Sequence, residues 1–415
     1  MSAAQVAHVA AAAAIAGAGI ALRAINLGGP AFGFDEFYDV FAARSWLAGE
    51  GFHLPYGPYT RGRLATLLTA AAFALFGESE ATARLPALLF GSLALPLAYG
   101  AGRILFGPTA GLLALFLVAF SPDAIDASRF ARLYSLLTFL TLLGALAAFR
   151  ALEGNGADGP RLTPARLGWL ALAAAATLVG AHLHPVALGL PLAVQAYAGV
   201  LGVGLAVRRR YPLAARYGVL VAGFIVLEAL ALVVRPGLGA MMLDRALTAL
   251  PWYTPQPGDV LVYHRHLANQ YAWLWALVWP ATVVVVLTRP RAGLFTALVF
   301  WLPFGILSGL VATKHPRYLL HLLPFAWLLL AGAAGLLWPT ARAALLARVR
   351  PHLPASVPPR LAVAAVVGVA ALPVLRLTPS VVAAMRRPGQ TTGTFFATNH
   401  FYDWRTLSRA LAARL

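Results

Sequence analysis

Cysteine is absent from this sequence and lysine occurs once, at position 314. The first absence excludes disulfides and thiol chemistry and leaves the redox compartment unread. Charge is scarce as well: 11% of the 415 residues are charged, against roughly 25% in a soluble domain. No Lys or Arg precedes Arg23, which argues against a cleaved signal peptide and for a first membrane span there. No Walker loop is present, so an ATP-driven machine is not expected.

Apolar residues fill the space that charge leaves. They make up 60% of the chain, and the mean hydropathy is +0.76. No single soluble core absorbs that much apolar surface, so the bilayer is the natural solvent. Runs near twenty residues recur, the length that crosses ~30 Å of hydrocarbon. The pattern predicts an all-α integral membrane protein of about eleven spans, at 4–26, 84–103, 107–122, 133–152, 166–182, 185–206, 214–235, 270–288, 292–312, 318–338 and 361–379. The connections 151–165, 208–213, 289–291 and 339–360 are rich in Arg, which places them in the cytoplasm by the positive-inside rule. The net charge of +18 is therefore read as membrane anchoring and orientation, not as a nucleic-acid surface. The expected organisation is a core at 1–335 with a first outer loop at 28–83, a Pro-rich cytoplasmic linker at 336–360, a last span at 361–379 and a short outer tail at 380–415. This orientation puts eleven of the fourteen acidic residues outside. Orientation does not require that, because acids contribute little to it, so something outside uses carboxylates.

The first loop opens with Phe34-Asp35-Glu36-Phe37-Tyr38-Asp39. Apolar residues at 34, 37, 38, 41, 42 and 46 follow helical spacing, which predicts an amphipathic surface helix with its carboxylates turned from lipid. Asp35 reads equally well as a helix cap there. Tyr59-Thr60-Arg61-Gly62-Arg63 follows, where Arg61 beside Tyr59 could hold a phosphate or simply snorkel. Asp126 and Arg129 can pair across one helical turn, while Arg132 and Tyr134 enter the next span. Lys314, in Lys314-His315-Pro316-Arg317-Tyr318, stands out most: a chain that uses Arg in every other basic role places one compact ammonium here, and the two differ as phosphate partners. Glu228 lies inside a span, where a carboxylate must face a cavity or be protonated. Two His-x-His pairs, His182/His184 and His264/His266, could each join a carboxylate around a divalent metal, though nothing approaches a zinc motif. No cofactor is certain, and a metal, at His264 and His266 if anywhere, stays open.

In this order, Asp35-Glu36, Phe76-Gly77-x-Ser79-Glu80 with Arg84-Leu85-Pro86, Arg132-x-Tyr134 and Lys314-x-x-Arg317-Tyr318-Leu319-Leu320 resemble the membrane glycosyltransferases of the GT-C superfamily. That superfamily includes protein O-mannosyltransferases, aminoarabinose–lipid A transferases and bacterial relatives with RgtA/B/C/D-like domains. The resemblance spans about residues 1–335. It implies a GT-C bundle with surface helices in the first outer loop and an inverting transfer from a polyprenyl-phosphate sugar, with the loop Asp, here Asp35, as base. Two departures leave the acceptor open: Tyr59-Thr60-Arg61-Gly62-Arg63 replaces a Lys-Pro-Pro segment common in relatives, and the large soluble domain of some relatives is reduced to about 35 residues.

The residues suit that chemistry independently of the resemblance. Sugar transfer needs a carboxylate to take the acceptor hydroxyl's proton and cations to stabilise the departing phosphate. We therefore expect Asp35 as base with Glu36 supporting it or ordering the acceptor. Lys314, Arg317, Arg132 and Arg61 are candidates for the phosphate, and Tyr59, Asp126, Tyr134, Glu228 and Tyr318 for the surrounding cavity. The partners are the bilayer, a polyprenyl-phosphate sugar and a hydroxyl acceptor on a lipid, glycan or protein, at the outer face of the cytoplasmic membrane. The main rival is a transporter or flippase of lipid-linked sugars, although the inverted repeats and broken midplane helices common in transporters do not stand out. A lipid-binding subunit without catalysis is the third reading.

Overall fold

The computed structural model describes residues 2–55, 57–153, 163–234, 259–311 and 314–349. Nearly all of them are helical. In chain order the helices are α1 (Ala3–Ala24), α2 (Phe34–Leu47), α3 (Arg63–Phe76), α4 (Glu80–Phe106), α5 (Pro108–Ala119), α6 (Pro122–Ala127), α7 (Tyr134–Leu152), α8 (Pro164–Leu183), α9 (Gly189–Val207), α10 (Tyr211–Val234), α11 (Val262–Tyr271), α12 (Trp273–Thr288), α13 (Pro290–Gly309) and α14 (Leu323–Val349). Two short antiparallel strands, β1 (His53–Leu54) and β2 (Gly57–Pro58), form a hairpin between α2 and α3. Short 3-10 turns at Pro185–Leu188 and Pro316–Leu319 precede α9 and α14.

Among the described residues, eight helices are long and apolar enough to cross a membrane, or nine if the bent pair α11–α12 counts as one span. The protein is a multi-pass membrane protein. Two of the eleven expected spans turn out otherwise, and a third lies outside the described residues. The run at 107–122 is the 12-residue α5, about 18 Å long at 1.5 Å per residue. The run at 270–288 breaks at Ala272, where φ is +44° and the chain bends by 111°. The span at 361–379 lies outside the described residues, as does the tail at 380–415. The linker expected from 336 is helical through Val349, because α14 runs on without interruption.

A helix as short as α5 must end deep in apolar surroundings, where its last carbonyls need donors. Arg23, near the end of α1, supplies them. Its fully buried guanidinium donates to the Val118 and Ala119 carbonyls at 3.0 and 2.9 Å, to Gly19 at 2.8 Å and to Ser128 Oγ at 3.1 Å. The α4–α5 hairpin is closed by Gly107 at φ +106°, and a Cβ on Gly102 would sit 2.8 Å from the Ala110 carbonyl. Small residues there let two backbones touch, as membrane helices require. The core runs along α4, α5, α7, α13 and α14. By contrast α10 is 17% buried against 67% for α7, so α10 is peripheral and α7 central.

Sequence punctuation sets the first loop. Gly77, at φ +77°, closes α3, and Ser79 caps α4 by accepting from the Thr82 amide at 3.1 Å. Phe76-Gly77-x-Ser79-Glu80 is therefore a helix stop followed by a helix start. In α2, Glu36, Asp39, Val40, Ala42 and Ala43 face the protein, while Phe34, Phe41, Trp46 and Leu47 are exposed. The helix thus turns aromatic side chains outward and two of its three acids inward.

Candidate functional site

Contacts from α2, the β-hairpin, the α6–α7 connection, α11 and the 314–322 segment converge at one end of the bundle. Asp35 and Glu36 are adjacent but have separate surroundings. Gly33 N–H donates to Glu36 Oε2 at 2.7 Å, which closes the start of α2. Arg84 forks onto both oxygens of Glu36, Nε to Oε1 at 2.8 Å and Nη2 to Oε2 at 2.7 Å, and the Ala131 amide donates to Oε1 at 2.8 Å. With no exposure and both oxygens occupied, Glu36 can meet neither acceptor nor donor. The expectation that it orders the acceptor is corrected: Glu36 is the clamp joining α2, α4 and the α6–α7 connection. Arg84 completes it by donating to the Leu27, Pro30 and Ala31 carbonyls.

Asp35 keeps some access to solvent, with 14% of its side chain exposed. Its Oδ2 pairs with Arg317 Nη1 from the 3-10 turn before α14. Burial opposes the charge of Asp35, but Arg317 and Arg132 outweigh it and hold the carboxyl below the usual carboxylate range. Arg317 also lies over the Tyr134 ring, 5.9 Å from its centroid.

One turn along α2, Asp39 is buried among Arg132, Tyr59 and Thr66. Arg132 Nη1 donates to Asp39 Oδ2 at 2.7 Å, to the Tyr59 hydroxyl at 3.1 Å and to the Asp35 main-chain carbonyl at 3.1 Å. Thr66 Oγ1 and the Tyr59 hydroxyl donate to Asp39 Oδ1 at 2.7 and 3.2 Å. Burial pushes the Asp39 carboxyl up despite the pull of Arg132. Burial disfavours the charge on Arg132, yet Tyr59, Asp39 and Asp35 keep it firmly protonated.

Lys314 is buried, and among the described residues no carboxylate pairs with it; burial lowers its ammonium pKa. His315 caps the following turn by accepting the Arg317 N–H on Nδ1 at 3.3 Å. Burial first, and Arg317 second, push its pKa down to about 3, so the ring is neutral. His184 caps the turn before α9 in the same way, accepting from the Val186 amide at 3.3 Å. Tyr318 lies between the two rings, 5.1 Å from His184 and 6.2 Å from His315. Behind His184 and Tyr318 opens a groove of about 100 Å³ with aliphatic walls, including Leu188, Leu192, Ile306 and Val311.

The remaining candidates lie elsewhere or do other work. Arg61 is exposed, outside the network, and neighbouring Arg63 lies over the Phe52 ring. Asp126 is buried on α6 within electrostatic reach of Arg129, whose guanidinium also donates to the Arg23 and Asn26 carbonyls. Glu228 accepts from Gln195 Nε2 at 2.7 Å between α9 and α10. His264 and His266 do not share a metal site. Both sit on helix α11, where a two-residue step turns by about 200°. His264 packs against Trp275, Trp279 and Phe304, and His266 meets Asp123 Oδ2 at 3.3 Å. Among the described residues, no three of His, Cys, Asp and Glu gather around one point. Sequence reading passes over Asp39, Arg84 and His315 as site residues. The repeated His-Pro step at 184–185 and 315–316 is the signal that could have drawn attention to His315.

Comparison with known proteins adds the fold's relations. Residues 61–227 match the family model described as dolichyl-phosphate-mannose-protein mannosyltransferase. Among solved structures, ArnT from Cupriavidus metallidurans bound to undecaprenyl phosphate is similar at 20% identity, covering 95% of this chain and 75% of that one, with a TM-score of 0.59. The archaeal oligosaccharyltransferase AglB from Archaeoglobus fulgidus, in complex with an inhibitory peptide and a dolichol-phosphate, is similar at 14% identity, covering 92% of this chain and 56% of that one, with a TM-score of 0.63. No curated protein matches. Identities this low establish a shared fold and leave the chemistry to the residues.

Proposed function

We propose that this chain, which carries the GT-C membrane-glycosyltransferase fold, transfers a sugar from a polyprenyl-phosphate donor to a hydroxyl acceptor at the outer face of the cytoplasmic membrane. The observation that carries the reading is one accessible carboxylate, Asp35, set between Arg317 and Arg132, with Tyr318 next to Arg317 lining an aliphatic groove. The groove suits an isoprenoid tail, and the cations suit the phosphate at its head. ArnT and AglB, which share the fold, were solved with undecaprenyl phosphate and a dolichol-phosphate, which supports a lipid-phosphate donor for this chain.

In the proposed reaction the acceptor hydroxyl gives its proton to Asp35 as its oxygen attacks the anomeric carbon. The bond from that carbon to the phosphate oxygen breaks, and its electron pair leaves with the polyprenyl phosphate. Attack opposite the leaving group inverts the anomeric centre. Arg317 and Lys314 meet the charge that develops on the phosphate. A carboxylate with a low pKa is a weak base at rest, so Asp35 acts well only if its pairing with Arg317 loosens during the cycle.

The test uses the purified full-length protein with a panel of polyprenyl-phosphate sugars and simple glycoside acceptors. We expect thermal stabilisation by at least one donor, and glycoside product together with free polyprenyl phosphate. Movement of a donor across proteoliposomes without any product would make the protein a transporter and end this reading.

A further inference from the structure

Two arginines approach Asp35, and they are compensated differently. Arg132 has a carboxylate of its own, Asp39. That pair is buried on both sides, and Tyr59 and Thr66 hold Asp39 in place. Arg132 touches Asp35 only at its main-chain carbonyl. Arg317 instead has the Asp35 carboxylate itself as its carboxylate partner. A donor phosphate arriving at Arg317 therefore competes with the group that must act as base, whereas one arriving at Arg132 would have to break a finished scaffold.

Resting on the donor-phosphate reading above, we infer that Asp39 is a positioning residue that dedicates Arg132 to the scaffold, so that the donor phosphate exchanges with Asp35 on Arg317 and frees the base only when a donor is seated. With the site empty, Asp35 is held as an ion pair, and an acceptor or water molecule meets a carboxylate whose basicity Arg317 holds down. Donor binding therefore comes first. The cost is affinity, because the donor binds only the fraction of molecules whose Arg317 has been released.

The experiment measures binding of undecaprenyl phosphate to the full-length protein in nanodiscs. It compares wild type, Asp35→Asn, Arg317→Ala and the double variant. Exchange predicts that Asp35→Asn binds about tenfold tighter, as expected if roughly a tenth of wild-type sites are open. It also predicts that this gain disappears in the Arg317→Ala background, the coupling that a double-mutant cycle isolates. Equal tightening in both backgrounds would mean plain charge repulsion and would overturn the exchange, as would no tightening in either. Failure of the wild type itself to bind the lipid phosphate would remove the donor reading and this inference together.

Asp39→Asn gives a second readout. Arg132, deprived of its carboxylate, turns to Asp35 and displaces Arg317, so lipid-phosphate affinity rises while kcat falls. A folded Asp39→Asn protein that loses affinity and turnover alike would make Asp39 a merely structural acid and overturn its positioning role.

Discussion

Asp35 and Glu36 share a helical turn, and each meets an arginine, but the two regions around them do opposite things. The Glu36–Arg84 region is sealed: the acid is fully buried, its oxygens are filled by Arg84, Gly33 and Ala131, and four segments are tied by it. The Asp35–Arg317 region is open: one carboxylate oxygen meets a cation borne on a short turn from a distant part of the chain. Ion pairing alone therefore does not mark a functional acid. What separates the two is whether the carboxylate has oxygen and access left over once the fold has been satisfied.

Paired substitutions test that contrast most strongly. Asp35→Asn should keep the fold and lose turnover by ~10²–10⁴-fold, the usual effect of removing a positioned base. Glu36→Gln should instead strand Arg84 and lower stability by about 3–5 kcal/mol, as when one half of a buried pair is removed. Unfolding midpoints and turnover measured side by side would break the comparison if the two variants behaved alike. Lys314→Ala comes next, with an expected loss of ~10²-fold in turnover for one charge at a phosphate. Lys314→Arg should recover only part of it, because a forked guanidinium meets phosphate differently. Full activity in both variants would return Lys314 to the role of an interfacial anchor.

A pH series sharpens the comparison. Asp35 has a lowered pKa in the folded protein, so its pairing contributes stability that is present above the unfolded value of about 3.9 and lost as pH falls through the folded value. The stability gap between wild type and Asp35→Asn should stay flat from pH 8 to 5 and close below about 4. A gap that widened on acidification would contradict the pairing. The smallest effect is expected at Arg61, which is exposed and outside the network. Arg61→Ala should change donor affinity by no more than about twofold, in line with a solvated surface charge.

Asp35, Arg132, Lys314, Arg317, Tyr59, Tyr134 and Tyr318 were legible as candidates because charge and aromatic residues concentrate in segments that a polytopic topology puts on one side. Glu36 fits the same pattern, but Arg84, Gly33 and Ala131 occupy its oxygens. Sequence spacing shows that a carboxylate is near, not whether its oxygens are already occupied. Arg84 and Asp39 illustrate this from the other direction: their partners lie 48 and 93 residues away, beyond any local pattern. His264 and His266 look paired in the sequence because one residue separates them, and the helix turns them to different sides.

Composition and hydrophobic period by themselves determined that this chain is a helical membrane protein, because the lack of polar backbone partners in hydrocarbon leaves little else. Tertiary structure decided that a 12-residue apolar run could end inside the bundle on Arg23, and which of two neighbouring acids faces the site. Both outcomes depend on hydrogen-bond saturation between distant segments, a property that no single segment carries.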